Sequence, residues 1–380
     1  MAACAFLIGA GVTVAAIGPL ALRPSSHSRT TAASSVLGTT GSPAPVGRLP
    51  RAHVLENRPV FPFPPSQALR RPTRADMLPS LWADGLPCSI GCRPVGAIPG
   101  WPLKPFHRQH ALRAGLNELR AGSLHEGLDI QARDGQRVYA IQPGYAHILV
   151  PSGGEARVRI GNFIYWHVAI AVKEGQYVKP YSTLVGRVNR HRYGHLHLSE
   201  VTASGAFLNP LRPGGRVLSP WRDTDAPVIG RPHMLPDGGV LVKAFDAQSF
   251  NVRTTYETPV LAPAGLAYRI FDAHARGFAS LHWAVRSNRV LPGQLAPELY
   301  APDSKQPGFS CFATRSICRP NWDFLLAGGL APRVSTLGLG PGRYRLSVYA
   351  WDYAGNVTAR DAWFRVAPGG AIAGARSASK

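Results

Sequence analysis

The sequence predicts a mainly β protein, and three observations carry that prediction. Asp129-Ile130-Gln131-Ala132 leads into Gly135, and Val138-Tyr139-Ala140-Ile141 runs to Pro143-Gly144, which reads as strand, turn, strand. The residues after Asp129 keep no helical period. Farther along, residues 240–245, 267–270, 280–285 and 344–350 read as strands separated by regular turns, the pattern of a β-sandwich.

Two short motifs on this β framework carry metal chemistry. His125-Glu126-Gly127-Leu128-Asp129 offers a histidine and a carboxylate four residues apart, and His195-Leu196-His197 follows later in the chain. Together they can supply three lone-pair donors to one divalent ion, with one histidine to spare. Two imidazoles and a carboxylate, with a fourth position open to water, make the ligand set of a catalytic zinc rather than a structural one. The competing pattern is the helical metalloprotease motif His-Glu-x-x-His, with Glu126 as general base and Asp129 in place of the second histidine. Gly127 in the middle of that helix and the missing helical period speak against it, and Glu126 is expected to face solvent.

The surroundings of these motifs resemble the lysostaphin-type (LytM-like) zinc endopeptidases. Gly122-Ser123-Leu124-His125-Glu126-Gly127-Leu128-Asp129-Ile130 looks like that family's first metal motif. In the family's order follow Val138-Tyr139-Ala140 with Gly144, Tyr165-Trp166-His167, a hairpin-like pair Glu174-Gly175-Gln176-Tyr177-Val178 and Leu184-Val185-Gly186, then Gly194-His195-Leu196-His197-Leu198, and Asn209-Pro210. The resemblance covers about residues 98–214 and implies an antiparallel β catalytic domain. It implies one zinc per chain held by His125, Asp129 and His197, with His167 and His195 beside the bound water. Residues 189–193 replace the family's Gly/Ser/Thr-rich loop, and Leu198-Ser199-Glu200 stands where an aromatic followed by Glu is common. Those departures concern the rim of the groove, and therefore substrate preference rather than chemistry.

Zinc lowers the pKa of bound water from 15.7 to about 7 and polarises a carbonyl. No carboxylate has motif spacing for a general base, which leaves His167 and His195, since imidazole titrates near neutrality. His195 and His197 are alternate strand residues and share a face. His167, expected on a separate strand, can reach the other side. Which of the two is base and which is electrostatic helper stays open at this stage. His147, His191, His233, His274 and His282 are expected as surface or core residues, with His191 the one nearest the motif in sequence.

The 380 residues are enough for two domains plus tails. Only six of 42 basic residues are Lys, and the formal charge is +21. Such a chain could bind nucleic acid, anionic lipid or anionic cell-wall polymer. No basic block with interleaved aromatics, zinc-finger spacing or helix-turn-helix signal is present, so nucleic acid is not an expected partner. Residues 1–22 contain an uncharged stretch from Ala2 to Leu22 and are expected as a signal peptide or an N-terminal membrane anchor, implying export to the cell surface or wall. Residues 23–97 read as a Pro/Ser/Ala-rich linker, with a short ordered piece at 78–82. Cys88 with Cys92 and Cys311 with Cys318 form two close pairs, and four cysteines allow three disulfide connectivities.

The remaining domains are expected at 98–216, the zinc peptidase, at 226–367, a β-sandwich, and at 368–380, a disordered tail. Gly342-Arg343-Tyr344 with Ala350-Trp351-Asp352-Tyr353-Ala354-Gly355-Asn356 resembles the penultimate strand and turn of bacterial immunoglobulin-like modules. Asp352 there is expected to cap the turn. No catalytic spacing is visible in this half, which is expected to be separable from catalysis. Taken together, the resemblance implies an exported zinc metalloendopeptidase acting on the peptide part of peptidoglycan. Two alternatives stay open: a non-catalytic wall-binding or regulatory protein of the same fold, and a peptidase of Gly-rich proteins.

Overall fold

The computed structural model describes residues 93–376, apart from 121–122, 191–193, 213–214, 251–259, 275–276, 278–280, 303 and 305–322. Residues 2–22, the linker as far as 92, His191, and Cys88, Cys92, Cys311 and Cys318 lie outside the described residues. Among the described residues no helix is long and apolar enough to cross a membrane. The molecule is mainly β, and among the described residues the α-helix is the single turn Ala296–Leu299.

In the first half the strands are β1 (Leu112–Ala114), β2 (Leu119–Arg120), β3 (Ser123–Leu124), β4 (Leu128–Gln131), β5 (Arg137–Tyr139), β6 (Gly144–Val150), β7 (Arg157–Ile160) and β8 (Phe163–Trp166). After them come β9 (Val168–Ile170), β10 (Tyr177–Val178), β11 (Leu184–Val188), β12 (His195–Val201) and β13 (Phe207–Leu208). One sheet runs β1-β4-β12-β8-β7-β6-β10, with β13 beside β12, and a smaller sheet runs β5-β11-β9. Alternation explains how the large sheet is used. Leu196 and Leu198 of β12, Leu128 and Ile130 of β4 and Val158 and Ile160 of β7 are fully buried in one core, while His195 and His197 take the opposite face of β12. Val138, Val168 and Val185 cover that core from the smaller sheet.

The second half comprises β14 (Val228–Ile229), β15 (His233–Met234), β16 (Val240–Phe245), β17 (Gly265–Phe271), β18 (His282–Arg286), β19 (Asp323–Ala327), β20 (Gly342–Trp351), β21 (Val357–Val366) and β22 (Ile372–Arg376). The sheet β14-β16-β15, with β19 beside β16, faces the sheet β18-β17-β20-β21-β22. Val240, Phe324, Leu266, Val348 and Phe364 fill the space between them.

Three expectations are corrected. β10 and β11 do not form a hairpin: β10 pairs with β6, whereas β11 pairs with β5 and β9. A turn in which the Lys179 N–H bonds Thr183 Oγ1 and the Thr183 N–H bonds the Lys179 carbonyl swings the chain from one sheet to the other. The expected disordered tail carries β22, which pairs with β21 after a turn closed by the Ala367 N–H on the Ala371 carbonyl. His167 is not within a strand but at the corner between β8 and β9, with φ of 59°.

The described residues all belong to one compact unit, and packing and hydrogen bonds span the expected boundary at 216/226. Tyr353 and Leu261 belong to the same core as the first-half strands. The Tyr353 hydroxyl accepts from the Leu116 N–H at 3.1 Å, and the Gln248 side chain bonds both the N–H and the carbonyl of Leu112. Asn117 donates to the Arg289 carbonyl and accepts from the Leu291 N–H. The segment leading into His125 is thus clamped by the second half.

Candidate metal centre

His125 lies just after β3, Asp129 on β4 and His197 on β12. The ladder places His197 directly opposite Asp129, and directly opposed side chains start with their Cβ atoms about 5 Å apart. His125 Nε2, Asp129 Oδ1 and His197 Nδ1 form a triangle with every edge 3.0 Å. Gly127 allows the close approach of the motif to β12. A Cβ there would meet His197 Nε2 at 2.7 Å and Ser199 Oγ at 2.9 Å. Glu126 is exposed, as expected, and β4 takes the place of the helical alternative.

The hydrogen bond behind His125 fixes its lone pair, and the one behind His197 is compatible with the matching tautomer. A carbonyl only accepts, so His125 donates Nδ1–H to the Gly115 oxygen at 2.7 Å and keeps its lone pair on Nε2. His197 Nε2 lies 2.9 Å from Ser199 Oγ, and with Nε2–H donating there the lone pair falls on Nδ1. Two lone pairs and a carboxylate oxygen then face one another with no proton to share. That arrangement is repulsive by itself and complementary to a cation. Its donor set, two imidazole nitrogens and one carboxylate oxygen, suits zinc.

The electrostatics agree. Burial pushes the His197 imidazole down to about 4 and also lowers that of His125, so both rings are neutral near pH 7. Burial alone would raise the Asp129 carboxyl, but its interactions with His125 and His195 and the hydrogen bonds of His125 and His197 outweigh burial and hold the group well below the usual carboxylate range. Neutral rings therefore surround an ionised carboxylate.

His195 and His167 stand next to the triangle, their ring centroids 4.8 Å apart. His195 Nε2 is 3.8 Å from Asp129 Oδ1. Arg113 Nη1 donates to His195 Nδ1 at 3.4 Å, which places the His195 proton on Nε2. Burial pushes this ring down to about 3, with Asp129 opposing and Arg113 adding to the fall. His167 donates Nδ1–H to the Gly154 carbonyl at 2.7 Å, leaving its lone pair on Nε2. All five singled-out residues are thus brought together. His233 and His274 are exposed, His147 pairs with Glu174 at the surface, and His282 packs on Tyr268, so none of these joins the site.

Sequence reasoning passed over Arg113, Arg120 and Ser199. Arg120 Nη2 lies 3.4 Å from Asp129 Oδ2 and Nη1 lies 3.7 Å from Glu118 Oε2, so it bridges the Asp129 carboxylate to a buried acid. Ser199 was legible, because it continues the face of His195 and His197 with period two. Neither arginine has a spacing signal.

No protein-family model matches the chain, and no curated protein matches it. Solved structures that overlap it include a Pseudomonas aeruginosa protein assigned as a peptidase M23, at 20% identity and a TM-score of 0.24, covering 33% of this chain and 55% of that one. Helicobacter pylori Csd3 overlaps at 19% identity and 0.25, over 34% and 36% of the two chains. The antimicrobial peptidase lysostaphin of Staphylococcus simulans overlaps at 14% identity and 0.27, over 74% and 92%. The chain thus spans about half and about a third of the length of the first two. Overlaps of this size are partial and carry no residue roles to this chain.

Proposed function

We propose that this chain is an exported zinc metalloendopeptidase that hydrolyses peptide bonds in peptidoglycan cross-links or stem peptides. The observation that carries the reading is the 3.0 Å triangle of His125 Nε2, Asp129 Oδ1 and His197 Nδ1, whose two nitrogens present lone pairs to an ionised carboxylate. The ordered motif series from His125 to Asn209 supports the substrate class. The formal charge of +21 suits attraction to anionic wall polymer. In this reading residues 2–22 direct export or anchor the chain, and the second half is an immunoglobulin-like module beside the peptidase.

Zinc at the triangle would supply Lewis acidity and a water whose pKa falls to about 7. The protein's own groups divide the remaining work. His167, with its lone pair on Nε2, is the proton acceptor. His195 presents Nε2–H and stabilises negative charge developing on the carbonyl oxygen, a role worth about 3–4 kcal/mol for a single donor. Arg113 holds His195 in that tautomer. Arg120 and the Gly115 carbonyl orient Asp129 and His125, as partners behind metal ligands do.

The test is elemental analysis of the full chain beside digestion of purified sacculi. One zinc per chain and release of muropeptides are expected, with both lost in His125→Ala and Asp129→Ala. Wild-type zinc in both variants overturns the ligand set. A zinc-loaded wild type that cleaves oligoglycine but no muropeptide overturns the substrate, and one that cleaves neither overturns the peptidase reading.

A further inference from the structure

A second group of carboxylates gathers away from the histidines. Asp223 lies between β13 and β14, Asp246 follows β16 and Asp352 follows β20, and one oxygen from each lies within 4.8 Å of the others. Asp246 and Asp352 are 0% exposed and Asp223 is 5% exposed, so the group is dry. Buried charge is costly unless paired, and three carboxylates together are more so.

Hydrogen bonds divide the six oxygens unequally. Asp352 Oδ1 accepts from the N–H groups of Ala354, Gly355 and Asn356 at 2.8, 2.6 and 2.7 Å, which is the expected turn cap, and Oδ2 accepts from Asn356 Nδ2 at 2.6 Å. Asp223 Oδ1 accepts from the N–H groups of Ser249 and Asp225 at 2.9 and 3.2 Å. Asp223 Oδ2 and both oxygens of Asp246, by contrast, are buried with no hydrogen-bond partner among the described residues. The adjacent Ala247 amide polarises Asp246 without a bond of good geometry. A fully buried carboxyl with both oxygens unmet thus points into two other carboxyls.

We propose that Asp223, Asp246 and Asp352 form a second cation site, built for calcium. The donors are all oxygen, which selects a hard cation over zinc. Magnesium usually keeps several of its waters, whereas calcium accepts a shell of protein oxygens, and a dry cluster favours the latter. Burial raises all three carboxyls, Asp352 to about 7 and Asp246 well above the usual range, with the neighbouring carboxylates adding to the rise at Asp246. Arg216 is the basic group whose charge reaches Asp352, and its own hydrogen bonds go to the carbonyls of Leu211 and Tyr353.

The ion would tie together three segments distant in sequence. Two residues past Asp246, Gln248 clamps Leu112 of β1, and next to Asp352, Tyr353 holds the Leu116 N–H. Both struts reach the wall behind His125, whose ring bonds the Gly115 carbonyl. The role is structural: the ion braces the scaffold of the metal centre from outside it.

Terbium(III), which takes calcium sites and emits when excited through nearby tryptophan, tests this on the full zinc-loaded chain. Trp351 adjoins Asp352, and Trp221 lies two residues before Asp223. One saturable emission that calcium displaces is expected, lost in Asp246→Asn and kept in Asp129→Asn. Calcium at about 100 times its dissociation constant should raise the Tm of the wild type by several degrees and leave that of Asp246→Asn unchanged. With chelator present, Asp246→Asn should melt no lower than the wild type, because one buried charge is gone; this separates a lost ligand from a lost fold. If that variant does not fold, Asp223→Asn is the replacement, its Oδ1 still free to accept both amides. Emission that survives in both variants places the ion elsewhere. A wild type with neither emission nor a calcium-dependent Tm overturns the site and leaves the carboxyls sharing protons.

Discussion

His195 and His197 are two residues apart on one strand face, yet they hold different partners. His197 closes the 3.0 Å triangle, while His195 stands 3.8 Å from Asp129 Oδ1 and is held by Arg113. His195→Ala should therefore keep near-stoichiometric zinc and lose roughly 10²–10⁴ in turnover, read by elemental analysis beside a wall-digestion assay. If His195→Ala lost the metal and His197→Ala kept it, the two assignments would exchange. Glu118 gives a separate residue-scale prediction. Burial raises its carboxyl to about 7, with Arg120 and the amides of Gly115 and Ala262 only partly opposing. The folded state therefore holds a proton that the unfolded chain releases near pH 4.5, so this contribution to stability is complete below that pH and is lost as pH rises through about 7. The loss amounts to about 3 kcal/mol at most. Glu118→Gln keeps an oxygen for both amides, and its urea midpoint should vary less between pH 5 and 8. An unchanged pH slope would show that Glu118 is ionised throughout.

At the scale of the element, β12 matters most, because it carries two of the proposed functional histidines between β4 and β8. It is tied down at Glu200, whose oxygens accept from Arg212 Nη1 and Nη2 at 2.6 and 2.7 Å with both side chains 2% exposed. Removing one partner of a buried pair leaves the other charge stranded, so Arg212→Met should cost about 3–5 kcal/mol in chemical denaturation. Glu200→Gln added to Arg212→Met should recover part of the loss. A neutral single variant would mean that Asn209 and the surrounding turn hold the strand without the pair.

For the whole molecule, the clamp between the halves changes what truncation should do. A chain ending at Arg216 would strip Leu261, Ala264 and Tyr353 from the first core and leave Leu112 and Leu116 without their side-chain partners. Such a chain should unfold at lower temperature, bind zinc more weakly, and lose activity even on a small soluble muropeptide. A truncated protein with wild-type zinc affinity and turnover would show that the second half is dispensable to the centre, as the lack of catalytic spacing in it suggested.

The sequence by itself determined the β class and the turn cap at Asp352, and its motif spacing singled out the five residues that the fold gathers around the His125–Asp129–His197 triangle. Each is local: period-two alternation, a ligand spacing of four or two residues, or an Asp followed by Gly-Asn, all readable within a few positions because strand geometry repeats every second residue. Only the tertiary structure decided the tautomers, since the Gly115 and Gly154 carbonyls that hold His125 and His167 come from separate loops. It also decided the parting of β10 from β11, the pairing of β22, and the meeting of Asp223, Asp246 and Asp352. These contacts join positions far apart in the chain, and nothing in local spacing records which buried groups the packing of a shared core will bring face to face.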